Sequence, residues 1–284
     1  MSVLVYGANG QVGTYLASVD GIVATTRHSA DLQRPAECAR VIRDLRPQAV
    51  INCAGLRGGH PNAANDHLLF CINAASPTAM AEACADISVP FVHISGVDVF
   101  DGKLPMPYIP SDKANPTSSF GMARLAAEEG IRTAGGPHAI VRVPLIFDEA
   151  MPLVLRGLGL NVQNGELHVP SDCILAPVPA RDLAQALLTM AAALKANPDK
   201  SGTYHFAGDE DIALSGFAQV VLQHNRMPIR VVPCPQMAGL CPPISLQNAR
   251  LDCRVTQAVF GLSRPSWRRA ITHAARPPMQ RQVG

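Results

Sequence analysis

Charged and aromatic residues are both scarce in this 284-residue chain, at 16% and 5% of the total. The 24 Lys and Arg against 22 Asp and Glu leave a net charge of +2 and gather into no basic run, which argues against nucleic acid as a partner. A hydrophobic content of 48% excludes the opposite extreme, a disordered chain too polar to form a core. A spanning helix needs about 18 nearly uninterrupted apolar residues. Stretches such as Ala184–Leu194 are shorter and interrupted, so no membrane partner is expected. The N-terminal Met1-Ser2-Val3-Leu4-Val5-Tyr6-Gly7 lacks a basic leader region, which makes the cytoplasm the expected location. The eight cysteines include no CxxC pair and no histidine partner at zinc-ligand spacing. Free buried thiols and no metal site are expected.

Short apolar runs rich in β-branched residues recur along the first half: Val3–Tyr6, Ile22–Thr26, Ala49–Asn52, Phe91–Ile94 and Ala139–Val143. Helix-length segments separate them, among them Pro35–Leu45, His67–Ala85 and Ser119–Thr133. Strands apolar on both faces and alternating with helices indicate right-handed βαβ units, hence an α/β fold with a Rossmann-type, doubly wound parallel sheet. After Pro144 the rhythm changes. Helices at about Ala180–Lys195 and Ser215–His224, the latter capped by Ser215, flank a short strand Thr203–Phe206, and Arg230-Val231-Val232 could form another strand. The expected organisation is a dinucleotide-binding domain over residues 1–148 and a smaller C-terminal α/β substrate lobe over 149–284, with the helix near 180–195 able to pack back on the first domain.

Gly7-Ala8-Asn9-Gly10-Gln11-Val12-Gly13 follows the first strand and opens a helix. Glycines in that context let the chain turn sharply and bring backbone N–H groups close to a pyrophosphate. An NAD site normally has Asp or Glu about 20 residues beyond the first glycine, to accept from a ribose hydroxyl. This chain has Thr25-Thr26-Arg27-His28 there. A guanidinium suits a 2′-phosphate, so NADP(H) is expected over NAD(H).

From these residues onward the chain resembles the extended short-chain dehydrogenase/reductases, and within them the dTDP-4-dehydrorhamnose reductase family. The resemblance runs through Asp31-Leu32 and the stretch Arg46–Gly55, which is similar to the family's RPDVVINAAA segment. It continues at Asn73, Ala81–Cys84, His93-Ile94-Ser95, Val99–Gly102, Pro107-Tyr108, Pro179–Ala184, Gly202–Gly208 and Pro265-Ser266-Trp267. It implies a Rossmann domain with a small nucleotide-sugar lobe. Gly7, Asn9, Gly10, Gln11, Val12, Gly13, Arg27, His28, Asp31, Leu32, Cys53, Ala54, Gly55 and Arg124 are the expected dinucleotide contacts.

The family's chemistry, as the resemblance implies it, is reduction of a 4-keto sugar nucleotide. Hydride comes from the dinucleotide, a tyrosine with a lysine four residues on gives the proton, and a threonine hydroxyl polarises the carbonyl. Here the corresponding residues are Phe120, Arg124 and Gly96. A benzyl ring donates no proton, and a guanidinium is a poor shuttle. Ser95, Asp98, His60 and Tyr108 are the candidate surrogate donors, and Ser95, Asp98 and Arg124 the candidate catalytic set. Arg57, His60 and Tyr108 are candidate contacts for an anionic small molecule. Two readings stand: an oxidoreductase with a rearranged acid, or a dinucleotide-binding sensor or regulatory subunit, as in the regulatory β-subunit of methionine adenosyltransferase, which looks like these reductases. A homodimer or a regulatory partner protein is compatible with either.

Overall fold

The computed structural model describes residues 2–56, 65–148, 162–234 and 246–273. Val3–Tyr6 (β1), Ile22–Ala24 (β2), Ala49–Asn52 (β3), Phe91–Gly96 (β4) and His138–Val143 (β5) pair in parallel with the strand Gly202–His205. The order across the six-stranded sheet is β2-β1-β3-β4-β5 and then Gly202–His205. Side chains alternate between the two faces of each strand, and both faces are covered. Val3 and Val5 pack with Val12 and Leu16 of the helix Gln11–Ala17 (α1) and with Leu183, Leu187 and Met190 of the helix Ala180–Ala196. Leu4 and Tyr6 pack on the opposite face, with Ile42 of Pro35–Leu45 (α2) and Met80. Met80 lies in a helix that starts at Asp66–Phe70 (α3), passes through a π-helical turn at Cys71–Ala75 and continues as Ser76–Asp86 (α4). Ser119–Ala134 (α5) completes that layer.

The run Asp66–Asp86 is long and apolar enough to cross a membrane, but it is half buried and packs between α2 and α5 in the manner of a core helix. The doubly wound sheet follows the sequence expectation, with two corrections. The strand near residue 203 is not a separate element of the smaller lobe. It joins the edge of the main sheet, with Tyr204 opposite Val141, and the helix Ala180–Ala196 before it packs on that sheet. Ser215 does not cap its helix. The helix begins at Leu214, whose N–H is taken by the Cys173 carbonyl, so Ser215 already lies in the first turn.

The smaller lobe has its own core. Glu166–Pro170 pairs in parallel with Arg230–Cys234, and Phe217 lies 5.3 Å from Phe147 and 5.5 Å from Trp267, ring centre to ring centre. These edge-on contacts suit aromatic quadrupoles. Cys38, Cys84, Cys173 and Cys253 are buried free thiols, and among the described residues no cluster could hold a metal ion.

Candidate functional site

The strand order reverses at β1, between β2 and β3, and in open α/β sheets ligands bind outside the carboxyl ends of strands at such a point. A cleft of about 480 Å³ lies there, lined by Gly7–Gly10, Thr25–His28, Ala30–Gln33 and Cys53–Leu56. A second cavity adjoins it through Gly10, Cys53, Ala54, Gly55 and Leu56, and extends to Gln11, Val12, His93, Ile94 and Arg124. Gly7 has φ +89°, and a Cβ there would lie 2.6 Å from the Ala54 nitrogen. A Cβ on Gly13 would lie 1.9 Å from the Gly7 carbonyl oxygen. The loop, β3 and α1 therefore meet backbone to backbone. Gly10 ends the loop without a side-chain cap on α1, and the Gln11 Nε2 is sealed without a partner among the described residues. A backbone cradle with an unsatisfied donor beside it fits the pyrophosphate and ribose of a dinucleotide.

At the β2 end, Thr25 donates its hydroxyl to the Val5 carbonyl (3.0 Å), and the Thr26 N–H donates to Ser29 Oγ (2.9 Å). Arg27 and His28 are exposed, and Arg27 has no ion-pair partner among the described residues. Asp31 accepts from the Gln33 N–H (3.0 Å), and Leu32 lines the cleft beside it. Burial pushes the Cys53 thiol up to about 12, and the thiol donates to the Tyr6 carbonyl (3.0 Å), so this side chain packs rather than reacts. Asn73 accepts from and donates to the Leu56 backbone, at 2.8 Å each way, fixing the loop after β3.

Four residues singled out in the sequence meet in space. Arg124 stands over the Phe120 ring (4.3 Å to the centroid) and donates to Asp98 Oδ2 (3.1 Å). A Cβ on Gly96 would lie 1.6 Å from Arg124 Nη1. Gly96 thus leaves the space that the guanidinium occupies. Asp98, held in this ion pair, is positioned as an acceptor rather than as a surrogate acid. Ser95 is fully buried and donates to Glu128 Oε1 (2.6 Å), away from both cavities. Tyr108 is also buried; it stacks on Phe100 with ring centres 4.0 Å apart and donates to Asp101 (2.9 Å). Arg57 and His60 lie outside the described residues.

Glu128, His93 and Asn52 were missed by the sequence reasoning. Phe120, Arg124, Glu128 and Arg132 recur every fourth residue along α5, a stripe visible in the sequence. Glu128 takes Ser95, Arg132 (2.6 Å) and two bonds from Arg142 (2.9 and 2.6 Å). Burial raises its carboxyl, but these donors outweigh burial and hold it below the usual range. His93 falls in a segment that carries the family resemblance, but a single histidine in an apolar strand gives no sign of a role in the site.

Burial, with Arg124 adding to it and Glu128 opposing, pulls His93 down to about 4. His205, whose Nδ1 donates to the Tyr108 carbonyl (3.0 Å), is pulled to about 3 by burial and then Arg142. Unfolded imidazoles take up protons near pH 6.5. These two histidines therefore favour the folded state fully above that pH, and their contribution is lost as pH falls toward the folded values. Urea midpoints should drop between pH 7 and pH 4.5, and His205→Gln should flatten the slope by about one proton. An unchanged slope would contradict the burial of a neutral His205.

The sequence profile of the RmlD substrate binding domain matches residues 1–278. The chain belongs to this family. It is 30% identical over 288 residues to the dTDP-4-dehydrorhamnose reductase of Burkholderia thailandensis, covering 95% of this chain and 97% of that one. It is 28% identical over 278 residues to that of Sinorhizobium fredii, covering 94% of each. A solved dTDP-4-dehydrorhamnose reductase from Clostridium acetobutylicum shares the fold, with a TM-score of 0.81, 23% identity and coverage of 96% of this chain and 98% of that one.

The expected preference for NADP(H) is corrected by similar structures. The Bacillus anthracis reductase is in complex with NADP. Bordetella bronchiseptica WbmH and WbmG and the protein MoeE5 are in complex with NAD, so the balance disfavours NADP. The geometry gives a physical reason: Arg27 is exposed and makes no ion pair among the described residues, so nothing in the fold holds its guanidinium for a 2′-phosphate.

Proposed function

We propose that this RmlD-family chain binds a nicotinamide dinucleotide along Gly7–Gly13 and reduces the keto group of a dTDP-linked or similarly anionic sugar, with Arg124 in the catalytic neighbourhood. The observation that carries this reading is the wall that the two cavities share. The crevice at the phosphate loop and the second space, lined by His93 and Arg124, have Gly10, Cys53, Ala54, Gly55 and Leu56 in common. When bound, the reduced dinucleotide supplies hydride. Arg124 supplies a fixed positive charge beside the carbonyl, and Phe120 supplies the aromatic face on which that charge rests. Without a phenol at position 120 the reaction forfeits a general acid worth about 10²–10⁴-fold, so turnover is expected to be slow.

A second reading, binding without turnover, is favoured by one observation: Arg124, Asp98 and Phe120 satisfy one another. Titrations of NADH and NADPH followed by nicotinamide fluorescence test what both readings share. Saturable binding supports them, and failure of both dinucleotides to bind contradicts them.

The Gly96 contact yields a further prediction. Gly96→Thr alone should displace the Arg124 guanidinium, break its pair with Asp98 and lower stability by about 1 kcal/mol. Adding Arg124→Lys and Phe120→Tyr should relieve the collision and raise NADH oxidation with a 4-keto sugar nucleotide above that of any single variant. Additive effects of the three changes, measured by urea denaturation and initial rates, would contradict this coupling.

A further inference from the structure

We infer that the imidazole Nε2–H of His93 is the hydrogen-bond donor that receives the carbonyl oxygen of the sugar ligand, so that His93 and Arg124 together stabilise the oxyanion that a tyrosine would otherwise protonate. This rests on the reductase reading above. Phe120 has no proton to offer, and the guanidinium of Arg124 does not release one. Of the other donors nearby, Ser95 is engaged by Glu128, the Cys53 thiol by Tyr6 and the Asn73 amide by Leu56, and the Gln11 Nε2 is sealed off by burial.

The tautomer of His93 follows from its neighbour. Asn52 Oδ1 accepts from the Ala54 N–H (3.0 Å), which fixes the amide so that its Nδ2 must face His93 Nδ1 (3.2 Å). An amide nitrogen only donates, so Nδ1 accepts and the ring proton sits on Nε2. Nε2 has no hydrogen-bond partner among the described residues, and His93 lines the cavity together with Arg124, so we assign Nε2–H to that cavity. The groups facing the ring are Asn52 from β3, Phe91 from β4 (ring centres 6.0 Å apart), and Arg124 and Glu128 from α5. Burial and the Arg124 charge keep the imidazole neutral through the physiological range. A neutral imidazole polarises a carbonyl without being consumed.

The electron count closes without a change of charge on the ring. As the carbonyl carbon accepts hydride from the reduced dinucleotide, the C=O π pair moves onto oxygen. His93 Nε2–H and the Arg124 charge hold that oxyanion, and water in the cavity gives it a proton, leaving hydroxide to pass to solvent.

The experiment uses the full chain labelled with ¹⁵N in histidine, with dTDP-4-dehydrorhamnose as the sugar. From pH 5 to pH 8 the parent should show His93 with a protonated Nε2 and an unprotonated Nδ1. The Nε2–H resonance should shift when the sugar is added with NAD⁺. His93→Phe should lose about 100-fold in kcat with NADH, keep its affinity for NADH and dTDP within twofold, and be largely rescued by His93→Gln, whose amide can both accept from Asn52 and donate to the cavity. A proton on Nδ1, or a His93→Phe variant as fast as the parent, overturns this proposal alone. A parent that neither binds nor reduces the sugar overturns it together with the reductase reading.

Discussion

Gly13→Ala should cost roughly 3 kcal/mol or more and abolish dinucleotide binding, because its new methyl would sit 1.9 Å from the Gly7 carbonyl oxygen and 2.7 Å from the Ala8 Cα, both backbone atoms. No rotamer can yield there, so α1 must move off β1. Gly7→Ala meets the same obstacle at the Ala54 nitrogen and adds the strain of a left-handed backbone at φ +89°. Gly10 is the contrast. Its Cβ would stand 3.2 Å from the Gly7 oxygen, a contact that a few tenths of an ångström relieve, so Gly10→Ala should retain the fold while weakening dinucleotide binding. Urea denaturation and NADH titration of the three variants check the order. Equal losses at positions 10 and 13 would mean that packing of α1 on the loop is not what requires glycine.

The second large effect is expected at Glu128. Its side chain is fully buried and neutralises Arg142, itself 3% exposed, through two short bonds. Glu128→Ala leaves that guanidinium buried without a counter-charge and should cost about 3–5 kcal/mol. Glu128→Leu combined with Arg142→Met should cost less than the sum of the two single changes, since a buried pair is far easier to replace whole than to halve. Acid should act at the same place. The folded carboxyl holds its proton less tightly than an unfolded Glu near 4.3, so its contribution is complete above that pH and is lost as pH falls through the lower folded value. Denaturant midpoints of parent and variants at pH 7 and pH 4 measure both effects. A Glu128→Ala variant within 1 kcal/mol of the parent would contradict the role assigned to this network.

The parallel sheet was legible because β1, β3 and β4 are apolar on both faces and each is followed by a helix of matching period. The phosphate loop was legible because three glycines occur between a strand and a helix. Other features depend on partners that pattern does not pair. The strand Gly202–His205 is four residues long and reads the same whether it joins one sheet or another. Ser95 and Asp98 carry donor-type or acidic side chains in a motif near the cleft, but what each can do depends on Glu128 and Arg124, which lie on a distant helix. The coupling of Gly96 to Arg124 is a matter of volume, visible only once α5 is packed beside the end of β4. Arg27 reads as a phosphate ligand from the missing acid at the end of β2 and from its guanidinium, but an exposed guanidinium without supporting donors does not fix a cofactor. His93 needed Asn52 and Ala54 in position before its tautomer, and hence its use, could be assigned.

The most direct test of the central claim, that the adjoining cavities hold a dinucleotide and the keto sugar it reduces, is the loss of reduced-nicotinamide absorbance when dTDP-4-dehydrorhamnose is added to the NADH- or NADPH-loaded parent. The account predicts a slow, enzyme-proportional, saturable decline that His93→Phe nearly abolishes. Tight dinucleotide binding with no decline at any sugar concentration would contradict it and leave the chain a binding protein.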